Sequence, residues 1–84
     1  MTKGEAICQE FSDEVLVLLE HVYKGGKWST ERTEEIKCRL NIEHFTGLVE
    51  RMVQAGYCCT QVQRDFEQFK CTAWFEPMSL EEIV

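Results

Sequence analysis

The apolar residues in the first two thirds of the chain recur mainly at helical spacing. A first stripe, with glutamates on its other side, comprises Phe11, Val15, Leu18, Leu19 and Val22. Ser12 is a suitable N-cap for this predicted helix, and the Gly25-Gly26 pair supplies a turn at its end. We interpret Trp28, just after the turn, as the anchor of a short edge strand on the core.

A second, shorter helix is predicted to start at Thr30 or Thr33 and to end at Leu40. Acidic residues lie in its first turn and basic residues in its last, which suits the helix dipole. A third helix, capped by Asn41, carries a stripe of Ile42, Phe45, Leu48, Val49, Met52 and Val53. Two helices with almost no linker between them, the second strongly amphipathic, form a helix-turn-helix pattern.

The last third of the chain has two interpretations. Residues 57–62 are rich in β-forming side chains, and residues 69–76 alternate between apolar and polar. These runs favour a β-hairpin that turns near Arg64 and Asp65 and ends at Pro77. The alternative is an all-α fold with residues 61–70 helical, because residues 60–63 match a capping box and the following apolar residues keep helical spacing.

This order of elements, with a third helix that ends in Gln54-Ala55-Gly56-Tyr57, resembles a winged helix-turn-helix domain. The resemblance covers residues 12–76 and rests on the order of elements, without pointing to a particular family. It implies a small α+β domain of three helices plus a β-hairpin. Residues 1–11 would form a lead-in, and residues 77–84 an acidic tail or short helix, within a single domain of 84 residues.

Such a fold implies that the third helix and the hairpin present polar side chains to a partner. The candidate partner-binding residues are Glu43, His44, Thr46, Glu50, Arg51, Gln54, Arg64, Asp65, Glu67 and Trp74. On duplex DNA, Arg51 could recognise guanine and Gln54 adenine in the major groove. On a protein, Trp74 could serve as an anchor if it lies on the outer face of its strand, although it could equally cover the first helix.

The charge of the chain favours a protein partner over DNA. Nine basic residues stand against 15 acidic ones, for a net charge of -6. DNA-binding proteins neutralise phosphates with Lys and Arg, whereas Glu43 and Glu50 occupy the face that would approach them. We therefore predict an acidic module that docks on a basic protein surface, for example as a regulator or inhibitor of a nucleic-acid-handling machine. A winged-helix transcriptional regulator that binds DNA is the alternative.

The sequence contains no signature of a catalytic, cofactor or metal site. It lacks the G-x-S-x-G, H-E-x-x-H and P-loop motifs, so an enzyme is not predicted. The five cysteines have neither zinc-site nor disulfide-framework spacing and are predicted to be free thiols that pack as small apolar side chains. No apolar run reaches the ~20 residues of a membrane span, and the first residues do not form a secretory signal, so a cytoplasmic location is expected. A domain this small could also form a homodimer.

Overall fold

The computed structural model describes residues 1–78, apart from the side chains of three residues in the first hairpin. Within residues 1–78, two helices pack on one face of a four-stranded antiparallel sheet of order β1-β2-β4-β3. The elements are helix α1 (Lys3–Phe11), strands β1 (Ser12–Lys24) and β2 (Lys27–Asn41), a 3-10 turn (Ile42–His44), helix α2 (Phe45–Gln54), and strands β3 (Tyr57–Asp65) and β4 (Lys70–Pro77). The chain therefore runs twice through a helix followed by a hairpin. No helix within residues 1–78 has the length and apolar character needed to cross a membrane.

The core lies between the two helices and the inner face of the sheet. Its largest fully buried side chains include Phe75, Ile36, Leu40, Leu48 and Met52. Successive side chains of a strand point to opposite faces, so alternate residues of the central strands β2 and β4 enter this core. The residues between them lie on the outer face of the sheet, opposite the helices.

The predicted first helix is wrong, because residues 12–24 form strand β1. The apolar residues here satisfy helical spacing, but residues 15–19 are continuously apolar, which suits a strand equally well. Residues 12–24 form a strand and not a helix because they pair with β2 along most of its length. The backbone φ angles of Gly25 and Gly26 are 59° and 79°, and a type I′ hairpin turn requires positive values at both positions. The glycine pair thus joins two strands and does not end a helix.

The predicted second helix is also wrong, because residues 27–41 form strand β2. Ile36, Cys38 and Leu40 are buried, while the charged residues between them lie on the outer face. This period of two is visible in the sequence, but the same charges also match a helix dipole. The helix-turn-helix pattern therefore lacks its first helix, and the predicted architecture of three helices plus a hairpin is wrong.

Helix α2 and the β3–β4 hairpin occur where the sequence predicts a helix and a strand pair. The all-α alternative with residues 61–70 helical is wrong, and the hairpin turns through residues 66–69 and not at Arg64 and Asp65. The predicted lead-in is instead α1, whose N-cap Thr2 accepts a hydrogen bond from the Glu5 amide at 3.1 Å. The acidic tail predicted for residues 77–84 lies outside the described residues from position 79 onward.

The first hairpin extends well beyond the rest of the sheet. Strand β4 pairs with β2 only between Ile36 and Asn41, so residues 18–35 form a two-stranded arm. Two residues of β4 explain why this pairing stops. Glu76 would face Glu35 of β2, and Pro77 has no N–H to donate. With this arm, the molecule measures 46 × 25 × 21 Å along its principal axes. Trp28, predicted to anchor on the core, is instead 70% exposed in the arm.

Candidate protein-binding surface

The β3–β4 loop displays two aromatic rings to solvent. Phe66 and Phe69 are 69% and 72% exposed. The loop backbone is held by Asp65, whose Oδ1 accepts hydrogen bonds from the Glu67 and Gln68 amides at 3.1 and 3.3 Å. We call residues 65–69 the Phe loop. The hydrogen bonds of Asp65 fix the backbone that carries both rings.

Phe69 has a strained backbone conformation. Its φ of 54° lies in the left-handed region, which costs roughly 1–2 kcal/mol for a residue with a side chain. Hairpin loops commonly place Gly at such a position. The Phe69 carbonyl accepts a hydrogen bond from the Ile42 amide at 2.9 Å, which ties the loop to the 3-10 turn. Because the ring is mostly exposed, its burial offsets little of the strain, and strain of this kind is characteristic of functional sites.

Four of the predicted site residues lie at the Phe-loop end of the sheet. Asp65 and Glu67 belong to the loop itself, and Glu43 and His44 belong to the 3-10 turn that bonds to it. Glu43 is highly exposed, and its Oε1 lies 3.7 Å from the Nε2 atom of His44. At the same end Lys70 forms an ion pair with Asp13, and Arg39 donates a hydrogen bond to the Gln68 side chain at 3.3 Å.

The predicted site residues on α2 face solvent, but α2 lies against α1. Thr46, Glu50, Arg51 and Gln54 are all exposed. The Arg51 guanidinium forms an ion pair with Glu10 of α1 at 3.2 Å, and Gly47 packs against the Phe11 ring. The exposed face of α2 therefore borders α1, so a partner that binds this face would also meet α1.

The two remaining predicted residues lie elsewhere. The guanidinium carbon of Arg64 is 5.8 Å from the centroid of the Phe45 ring, on the helix side of the sheet. Trp74 lies on the outer face, where the Lys37 ammonium is 5.4 Å from its ring centroid. Of the two positions weighed for Trp74, the outer face is therefore the one observed. The ten predicted residues do not form one continuous site.

The outer face also carries a groove of about 410 Å³. Its lining residues are Glu14, Val15, Leu16, Lys37, Cys38, Arg39 and Thr72. Glu14 stands directly opposite Arg39 on the neighbouring strand, as a cross-strand pair of opposite charges. Among residues 1–78, no group of three or more His, Cys, Asp or Glu side chains could hold a metal ion.

Several titratable groups are buried beneath α1. The Tyr57 hydroxyl accepts a hydrogen bond from the Gly4 amide at 3.3 Å, and burial, together with Glu34, raises the pKa of Tyr57 to about 12. The hydrogen bond between Cys8 and Cys38 raises the pKa of the Cys8 thiol, and burial adds to this effect. Both groups are therefore protonated at neutral pH and pack as part of the core.

Sequence reasoning missed Phe66 and Phe69 as exposed residues. Phe69 fits the apolar half of the alternation in residues 69–76, so the pattern assigned it to the buried face of a strand. The available signal was the turn itself. Residues 64–69 contain no Gly, Asn or Pro, and Asp65 is the one turn-favouring residue among them, so a loop that starts at Asp65 contains both phenylalanines.

Known proteins supply no template for this surface: no protein-family model, curated protein or solved structure matches the chain. A functional assignment therefore rests on the chain's own geometry.

Proposed function

We propose that this chain is a non-catalytic binding module that docks on a protein partner through the Phe loop. The observation that carries the proposal is the display of Phe66 and Phe69, both about 70% exposed, on a loop whose backbone Asp65 holds. Aromatic side chains are enriched in the buried centres of protein interfaces. A loop whose backbone is held before binding loses less conformational freedom on binding than a flexible loop.

The charge of the chain supports a partner with basic residues around an apolar pocket. Glu67 is an exposed residue of the Phe loop, and Glu43 is an exposed residue of the 3-10 turn that bonds to this loop. The net charge of -6 adds a long-range attraction to a basic surface. Complementary charge of this kind speeds association and selects among partners more than it strengthens the final complex. The rings would supply the affinity and the carboxylates the selectivity.

Duplex DNA, the alternative considered from the sequence, is less well supported. The exposed side of α2 carries Glu50, and its one arginine, Arg51, is ion-paired with Glu10. Phosphate binding depends on an excess of Lys and Arg, which this acidic chain does not offer. We therefore propose protein docking alone.

Site-specific photocrosslinking tests the proposal. A photoreactive phenylalanine analogue replaces Phe66 in one sample and Thr60, an exposed residue of β3, in a matched control. In extract of the producing cells, we expect a discrete crosslinked protein from position 66 and not from position 60. Excess unlabelled wild-type protein should suppress this product, whereas excess Phe69→Gly protein should compete much less well.

Charge is tested in the same assay. A Glu43→Lys/Glu67→Lys competitor should also be weaker than the wild-type protein, and added salt should reduce the crosslinking yield. Equal products from positions 60 and 66 would contradict the proposal. So would a Phe69→Gly competitor that is as effective as the wild-type chain.

A further inference from the structure

Within residues 1–78 the sheet has two edges, β1 and β3, and the middle of β1 is the less protected of the two. Edge strands are usually shielded by bulges, charges or proline. Strand β3 has an irregular register between Cys59 and Gln61 and carries mostly polar side chains. Strand β1 is 13 residues long and contains no proline, and its register irregularities lie near its two ends, so that the register between Glu14 and His21 is regular. Its central residues 15–19 carry no charge.

The middle of β1 exposes apolar side chains on both faces of the sheet. Leu16 and Leu18 lie on the outer face, opposite Lys37 and Glu35 of β2, and are 54% and 45% exposed. Leu19 lies on the inner face and is 50% exposed. Apolar exposure on both sides of a strand is expected where another strand continues the sheet and brings its own side chains alongside.

The arm also needs a third strand. A two-stranded ribbon is marginally stable in water at best, whereas a third strand with an apolar face gives independent stability. Within residues 1–78, no strand pairs with the outer edge of β1. Its backbone N–H and C=O groups on that side are therefore oriented to pair with another chain.

We propose that β1 pairs antiparallel with β1 of a second copy of this chain, about a twofold axis at Leu18. Leu18 is the midpoint of Ser12–Lys24 and lies within the regular part of β1, so residues 15–21 of the two copies pair over roughly 20 Å at the usual rise. Two four-stranded sheets become one continuous sheet. The base of each arm gains a third strand, because residues 18–21 of one copy lie beside residues 15–18 of the other.

The charges on β1 are compatible with this register and disfavour the neighbouring one at Val17. About Leu18, Glu14 stands opposite Val22, and Glu20 opposite Leu16, so no carboxylate faces another. Moving the axis by one residue to Val17 would place Glu14 opposite Glu20 twice, and like charges directly opposite each other are destabilising. At the axis itself, Leu18 packs against Leu18 of the second copy. The same strand thus offers apolar contact at its centre and avoids repulsion toward its ends.

This interface is separate from the proposed docking surface. Phe66 and Phe69 lie in the β3–β4 loop, and none of the residues that pair across the dimer belongs to it. The two proposals can therefore fail independently. A chain that dimerises without binding a partner supports only the β1 dimer, and one that binds a partner as a monomer supports only docking through the Phe loop.

Sedimentation velocity over a wide range of protein concentration tests the dimer. We expect the wild-type protein to reach twice its monomer mass of 9.9 kDa at high concentration. Leu18→Lys places two ammonium groups at the twofold axis and should weaken dimerisation at least tenfold. Leu16→Glu, which would face Glu20, should weaken it as well. Gln61→Lys on the β3 edge is the matched control and should dimerise like the wild type.

Circular dichroism establishes that each variant is folded, which is expected because Leu16 and Leu18 are about half exposed. Amide hydrogen exchange then locates the interface. The β1 amides that point away from β2 should gain protection as the wild-type concentration rises, and should not do so in Leu18→Lys. A wild-type protein that stays monomeric would overturn the inference. So would Leu18→Lys dimerising as strongly as Gln61→Lys, or a dimer whose outer β1 amides remain unprotected.

Discussion

The Gly4 amide donates a hydrogen bond to the Tyr57 hydroxyl at 3.3 Å, and this approach leaves no room for a side chain at position 4. A Cβ atom on Gly4 would lie 2.6 Å from both the Tyr57 Cζ and the Ile36 Cδ1 atoms. Helix α1 is therefore seated on the sheet through a glycine that contacts one residue from each hairpin.

Gly4→Ala should destabilise the protein. Overpacking of this kind costs typically about 1–3 kcal/mol, and the higher helix propensity of alanine returns at most about 1 kcal/mol. Gly47→Ala is the control within α2, because its Cβ would approach only the Phe11 ring, at 3.3 Å. Urea unfolding of both variants should show a clear loss for Gly4→Ala and little loss, or a gain, for Gly47→Ala. An equal effect of the two changes would contradict this account of α1 packing.

Stability should fall at high pH because Tyr57 is buried as the neutral phenol. Its pKa is about 12 in the folded chain and near 10 when unfolded. Between these values the unfolded state has released a proton that the folded state retains, so rising pH lowers the free energy of unfolding. The loss should be on the order of 2 kcal/mol by pH 12.

Urea unfolding from pH 9 to pH 12 measures this loss. Tyr57→Phe should be less stable at neutral pH, because the Gly4 amide loses its acceptor, but should have a flatter pH dependence above pH 10. If the slope above pH 10 is the same in Tyr57→Phe and the wild type, another group is responsible.

Phe69→Gly should stabilise the protein. Glycine adopts positive φ without steric cost, so the substitution relieves roughly 1–2 kcal/mol of strain, less the extra entropy of glycine in the unfolded chain. The net gain should be on the order of 0.5–1 kcal/mol. Phe66→Gly is the matched control, since Phe66 is similarly exposed but lacks the positive φ, and it should not stabilise the protein. Thermal unfolding distinguishes the two, and a loss of stability in Phe69→Gly would show that the ring supports the fold.

The five cysteines should divide into two classes of reactivity. Cys8, Cys38 and Cys71 are buried, whereas Cys58 and Cys59 are half-buried. Burial raises the pKa of the Cys59 and Cys71 thiols, which lowers their reactive thiolate fraction. A thiol reagent should therefore modify at most Cys58 and Cys59 in the native protein and all five in urea. Cys58→Ser/Cys59→Ser should remove the early reaction, and rapid native modification of Cys8 would contradict the packing described for α1.

The sequence predicts the second half of this fold better than the first. Helix α2 has one unambiguous apolar stripe, and strand β4 alternates strictly between buried and half-buried residues from Lys70 to Phe75. Strand β1 is ambiguous, because residues 15–19 are apolar without interruption and only pairing with β2 decides their structure. For β2, the alternation of Ile36, Cys38 and Leu40 with charged residues was the better guide, and the helix-dipole reading of those charges was misleading.

The difference between local patterns and long-range pairing also explains which candidate surface residues the sequence predicts. Glu43, His44, Asp65 and Glu67 are predicted on a third helix and a hairpin, and they lie at one end of the sheet because the Phe loop bonds to the 3-10 turn. For Trp74 the sequence leaves two positions open, the outer face of its strand or a place over the first helix, and the structure shows the outer face. The exposure of Phe66 and Phe69 depends on which residues enter the turn, and Asp65 alone, without Gly, Asn or Pro, does not locate the turn in the sequence.

The repeated helix and hairpin architecture has a consequence for how the chain folds. Each hairpin joins neighbouring segments, and isolated hairpins form within about 1–10 μs. The two halves meet in the sheet only where β2 pairs with β4, from Ile36↔Phe75 to Asn41↔Lys70. Closing that seam brings together residues distant in sequence, and such contacts set the folding rate of small proteins. Substitutions along the seam should therefore slow folding, whereas substitutions in the arm should mainly speed unfolding.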